Sequence, residues 1–195
     1  MAWITLSLRK QSLKAEANDL ELQDLSLSRE KRSIQRNLAY QKSILQAEET
    51  SEIKDAKDEY NAVKNKRPTR GKFNGKQYYF KTKTDYEKAS AASKEGKTIP
   101  TENTYGTEAE YDDAYEIWKQ DYSEAKEKYE EQTTNTKDFY DDRKEEVEEE
   151  ATDKQTQIEE EQTIVETNLQ DINQELSSVG DQIGTDIQSS AIKFG

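Results

Sequence analysis

Leucine and isoleucine recur at strict seven-residue spacing along the start of this chain, at Leu6, Leu13, Leu20, Leu27 and Ile34. A repeat of 3.5 residues, sustained among polar neighbours, predicts helices that wind around one another. Leu8, Ala15 and Leu22 form a second row, read as widening the same apolar face. Leu38, Leu45, Ile53, Ala56, Tyr60 and Val63 carry that face on, with a register adjustment around 45–53. Neither Gly nor Pro precedes Arg67. The spacing therefore predicts a helix from about residue 8 to 66, roughly 85–90 Å long at the α-helical rise. Before it, Trp3, Ile4, Leu6 and Leu8 alternate with Thr5 and Ser7, a strand-like or anchoring pattern.

Pro68 stops the helix. Residues 72–80 then read as a β-hairpin, because Asn74-Gly75 supplies the positive φ angles of a type I′ turn. Thr84-Asp85-Tyr86-Glu87 reads as a capping box opening a short helix that Gly96 closes, and residues 98–106, with Pro100, read as loop. Thr107-Glu108-Ala109-Glu110 is a second capping box. After it an aromatic seam steps 4-3-4-3-4 through Tyr111, Tyr115, Trp118, Tyr122, Ala125 and Tyr129. It turns polar at 132–136, where a weak point or bend is expected, and restarts at Val147, Ala151 and Ile158. Val165, Leu169, Ile172, Leu176, Val179, Ile183 and Ile187 complete it, with Ile192 and Phe194 as a terminal apolar hook.

The fold class expected is mainly α: an elongated antiparallel helical hairpin or coiled coil with a small α+β tip insertion. Its segments are an anchor and long helix over 1–66, a tip over 67–106 and an acidic helix over 107–195. Aligning the helices at the tip places Val63 beside Glu110 and Leu6 near residue 167. The second helix then outruns the first by roughly 20 residues. Two readings of that overhang are open. Either a partner or a second copy binds Val165, Leu169, Ile172, Leu176, Val179, Ile183, Ile187 and Phe194, or the first helix kinks, or Trp3 to Leu8 folds back, to cover them within the same chain.

Composition removes most catalytic chemistry. The 195 residues are 31% hydrophobic and 36% charged, too polar for one thick core, yet the apolar residues are periodic rather than scattered as in a disordered chain. There is no Cys and no His, which removes thiolate and imidazole metal sites and His-dependent triads. Paired carboxylates such as Asp141-Asp142 and 148–150 read as a solvated helix face rather than an acid/base or cation site. No catalytic residue, cofactor, metal or small-molecule substrate is expected. No run is long enough to span a bilayer, and residues 1–10 lack the basic n-region of a secretory signal.

Charge is uneven. Residues 1–66 carry a net +1, residues 67–98 a net +6 and residues 99–195 a net −20, within a total of −13. In the basic tip, Arg70, Lys72, Phe73, Lys76, Tyr78, Tyr79, Phe80 and Lys81 are the candidate docking residues. Cations with aromatics suit nucleic acid. The alternatives are a mini-core of aromatics with snorkelling lysines, or a basic knob docking an acidic protein surface, and these are preferred because the acidic half would repel a polyanion lying along the rod.

The opening Met-Ala-Trp-Ile-Thr-Leu-Ser-Leu-Arg-Lys, the heptad rows and the Ile192-Lys193-Phe194-Gly195 ending resemble small helical virion proteins of tailed bacteriophages, crAss-like phages above all. The resemblance implies a non-enzymatic structural, tail-associated or cargo protein, present in several copies and associated with other virion proteins. Its location would be the virion, or the host cytoplasm during assembly. A secretion-system stalk or chaperone-like hairpin, and an internal nucleic-acid-binding protein using the tip, are the competing classes.

Overall fold

In a computed structural model, the backbone of residues 2–192 and the side chains of residues 4–189 are described; the side chains of Trp3 and Ile192, and all of Phe194, lie outside them. The elements in chain order are α1 (Ala2–Asn65), β1 (Thr69–Phe73), β2 (Lys76–Phe80), α2 (Lys83–Lys94) and α3 (Glu108–Ile192). The protein is a mainly α helical hairpin with a small two-stranded insertion. Residues 3–8 belong to α1 rather than to a strand. Their alternation spans too few residues to compete with a helix that already carries Leu6 in its seven-residue row. The segment 132–136 is likewise helical, and α3 is not interrupted there.

The chain divides into two compact units, residues 1–43 with 144–195, and residues 44–143. In the first, Leu13, Ala17, Ile172 and Val179 form one buried cluster, with Leu6, Leu20, Leu176 and Ile183 against it. Leu27, Ile158 and Val165 form another, with Leu20 and Ile34 against it. Antiparallel cross-links flank this seam. Arg9 holds Glu175 through two hydrogen bonds of 2.8 and 3.0 Å. Lys31 reaches Glu159 and Lys42 reaches Glu148, both at 2.5 Å. Gln162 Nε2 donates to Asp24 Oδ1 at 3.0 Å and to Ser28 Oγ at 3.1 Å. These half-exposed pairs contribute little stability but select one register.

The second unit is built on aromatics. The C-terminal carbonyls of α1 need partners, and Val63 O accepts from both Lys66 N and Trp118 Nε1, the latter at 3.0 Å. Arg67 lies over the rings of Tyr115 and Trp118. Tyr60 stacks on Tyr129 and shares a 2.6 Å hydroxyl contact with Tyr122. Buried Tyr140 donates to Glu52 Oε1 at 2.9 Å. The adjustment at 45–53 is filled by Glu49, buried in the seam and holding Gln46 Nε2 at 3.1 Å.

The tip folds as its turn chemistry dictates. Asn74 and Gly75 have φ of 50° and 79°, and the strands pair antiparallel from Thr69↔Phe80 to Phe73↔Lys76. Gly71 is required by packing, since a Cβ there would sit 2.5 Å from the Tyr86 ring. The cap of α2 is Thr82, not Thr84: its Oγ1 accepts from Asp85 N at 3.1 Å. Thr82-x-x-Asp85 has the same capping logic two residues earlier, and β2 ends too close to leave a longer connection. A Schellman closure follows, with Gly96 at φ 69° and Lys97 N donating to Ala92 O. The 98–106 loop is more ordered than its composition suggests. Ile99 is buried with Phe80 and Ala89, and residues 103–105 pair with β2 through Lys81 N to Asn103 O and Tyr105 N to Tyr79 O. The second capping box forms as expected, with Glu110 N donating to Thr107 Oγ1 and Gly106 N donating to Glu110 Oε2.

Candidate interaction surfaces

The C-terminal seam is an internal core rather than an overhang. Val165 is 2% exposed, Ile172 and Val179 are buried, and Leu169, Leu176 and Ile183 are half-buried. Their partners are Leu6, Leu13, Ala17, Leu20 and Leu27 of α1, in a helix that is neither broken nor folded back. Only Ile187 is exposed, and Phe194 is outside the described residues. The expected alignment fails because the first turns of α3 are used by the tip. Tyr111 packs on Tyr79 and Tyr105, so Val63 meets Trp118 rather than Glu110. About two further turns of α3 are thereby placed before it reaches α1.

In the tip, Phe73, Tyr78 and Tyr86 pack around Phe80, with ring centroids 5.8–6.1 Å apart. Tyr79 points the other way, onto Tyr111. Burial and the Glu108 carboxylate hold its phenol above the usual range. The basic side chains stay outside. Arg70 lies 4.0 Å from Glu108, and Lys76 lies over the Tyr78 ring. Among the described residues no carboxylate pairs with Lys72, Lys76 or Lys81, all exposed. The geometry is a mini-core with a cationic rim.

The row Leu8, Ala15 and Leu22 does not widen the inner face. Two residues along a helix are about 200° apart, so this row lies opposite Leu6, Leu13 and Leu20. Leu8 and Leu22 are 62% and 64% exposed. An open groove of about 810 Å³ runs along α1 and α3, lined by Asp24, Leu25, Val165, Glu166, Leu169 and Asn173.

The acidic runs are tied into lysine pairs at several points, such as Lys154 to Glu150 at 2.5 Å, which holds the Glu150 carboxyl below its usual range. Among the described residues no three acidic groups converge as a metal site, and no helix is long and apolar enough to cross a membrane. No protein-family model, curated protein or solved structure matches this chain.

Proposed function

We propose that this chain is a non-enzymatic structural or assembly protein that docks other proteins through its helical hairpin and its basic tip, within a tailed-phage particle. The observation that carries the docking role is the tip itself. Its rings are spent on internal packing, while Lys72, Lys76 and Lys81 stand exposed without carboxylate partners. Such a rim suits an acidic protein surface, where unpaired cations gain complementarity and steer encounter. Inward-facing rings lack the free faces that base stacking needs, which weighs against single-stranded nucleic acid. The phage setting rests on the resemblance of the opening and closing segments.

On this reading the protein co-sediments with intact particles through a density gradient. The charge-reversed variant Lys72→Glu/Lys76→Glu/Lys81→Glu loses attachment while its thermal melt is unchanged. Recovery only in the soluble fraction would overturn the particle role. Salt-sensitive DNA binding, abolished by the same substitutions, would instead assign the tip to nucleic acid.

A further inference from the structure

The outer face of α1 carries a seam of its own. Positions 4, 8, 11, 15, 18, 22 and 25 step by 4 and 3 residues in alternation, the spacing of a coiled-coil contact line. Five of the seven are apolar: Ile4, Leu8, Ala15, Leu22 and Leu25. All five are exposed, Ile4 at 47% and Leu25 at 52% beside the two leucines already described. In a chain this polar, an apolar row held for three heptads away from the buried face of α1, and reaching the edge of the α1–α3 groove at Leu25, is not scatter. A helix that is apolar on opposite faces has a neighbour on each.

We infer that this outer seam joins two copies of the chain through a parallel, in-register pairing of α1 with α1. Three features select that occupant. Gln11 and Asn18 interrupt the seam on the same line as Ile4 and Leu25. In a parallel two-fold pair each amide meets its own copy, donor to acceptor. An antiparallel pair sets them against leucine or alanine, leaving a desolvated amide. Lys14 and Asp19 flank the seam on opposite sides, five residues apart, which is the offset at which flanking charges of parallel helices meet. Both are exposed. Finally, the arms of this unit differ in charge. Residues 1–43 carry 8 Lys/Arg against 5 Asp/Glu, and residues 144–195 carry 3 against 14. Pairing through α1 brings together the arms that are not acidic, whereas pairing through α3 confronts two strongly negative surfaces. The row continues as Arg29, Arg32 and Arg36, whose like charges end the contact after Leu25.

The inference does not depend on the particle reading. Sedimentation equilibrium of the full chain over a concentration series is expected to show monomer and dimer. Leu8→Lys/Leu22→Lys should weaken self-association by about tenfold or more with helical circular dichroism unchanged, because both side chains are exposed. The natural chain has no cysteine, so Asn18→Cys supplies a single thiol at the two-fold line and should cross-link under diamide. Gln23→Cys, on the outer flank, should not. A chain that is monomeric throughout and does not cross-link overturns the proposal. So does a dimer that survives the double substitution, or a dimer in which Asn18→Cys cross-links no better than Gln23→Cys.

Discussion

The two compact units close the same pair of helices with different chemistry. In residues 1–43 with 144–195 the seam is aliphatic: Leu13, Leu27, Ile158, Val165, Ile172 and Val179 are buried, and polar groups keep to the flanks. In residues 44–143 the seam is Tyr60, Tyr122, Tyr129 and Tyr140, with Glu49 and Thr133 among them. The spacing differs too. From Leu6 to Leu27 the inward positions of α1 follow the seven-residue repeat, whereas Leu45, Glu49, Ile53 and Ala56 cover 11 residues in three steps, an 11-residue repeat. In α3 Tyr122, Ala125, Tyr129 and Thr133 do the same. Aliphatic knobs are non-directional and contribute through buried area. A hydroxyl that must reach Glu52 or Tyr122 contributes less but is satisfied in only one alignment. The first seam supplies cohesion and the second supplies register.

The largest test breaks the aliphatic seam. Leu13 is fully buried, so Leu13→Ala should cost about 2–5 kcal/mol in denaturant unfolding. Leu22→Ala, on the opposite face of the same helix, should change the stability of the monomer, measured at concentrations below self-association, by no more than about 0.5 kcal/mol. Equal effects would contradict the assignment of inner and outer faces. The polar seam offers a gain of the opposite sign. Thr133 Oγ1 is buried with no hydrogen-bond partner. Thr133→Val removes the desolvated hydroxyl at nearly constant shape and should stabilise the protein by about 1 kcal/mol. A loss there would mean that the hydroxyl is satisfied after all.

Local signals in the sequence carried much of this fold, and long-range ones did not. The Leu6 to Ile34 row is visible because residues seven apart share a helix face, and the hairpin because Asn74-Gly75 meets a demand few other pairs meet. The helix alignment was not readable. It depends on how far α3 runs before meeting α1, which is decided by Tyr111 packing on Tyr105 and on Tyr79, the latter distant in the chain. Glu49 carries no such local signal, because a carboxylate at a seam position reads as solvent-facing although the fold buries it. The outer row of α1 lies two residues from the inner one in sequence, which makes the two read as one face. Counting angle rather than proximity in sequence separates Leu8 from Leu6, and that separation turns a wide face into two opposite ones.

The tyrosines make the polar seam pH-sensitive where the aliphatic one is not. The hydrogen bond to Glu52, then burial, pushes the Tyr140 phenol up to about 12, and the bond to Tyr122 raises Tyr60 as well. A raised folded pKa means the unfolded chain releases its proton first. The contribution is therefore whole below about 10, the free phenol value, and declines as pH rises towards 12. Thermal melts should fall between pH 10 and 12 more steeply for the natural chain than for Tyr140→Phe. Parallel curves would show that this phenol does not report on folding.

The smallest effect is expected at the flank of the aliphatic seam. Arg9 and Glu175 make a two-bonded pair, and the Arg9 guanidinium holds the Glu175 carboxyl below its usual range. The depressed pKa means that whatever the pair contributes is present above the ordinary carboxylate range and fades as acid protonates Glu175. Both side chains are about half exposed, so water and salt screen the attraction. Arg9→Gln should leave the neutral-pH melt in physiological salt within error, with a difference emerging only at low ionic strength. A large loss at neutral pH and ordinary salt would mean that cohesion in this unit is shared with its charged flank, and the contrast between the two seams would narrow accordingly.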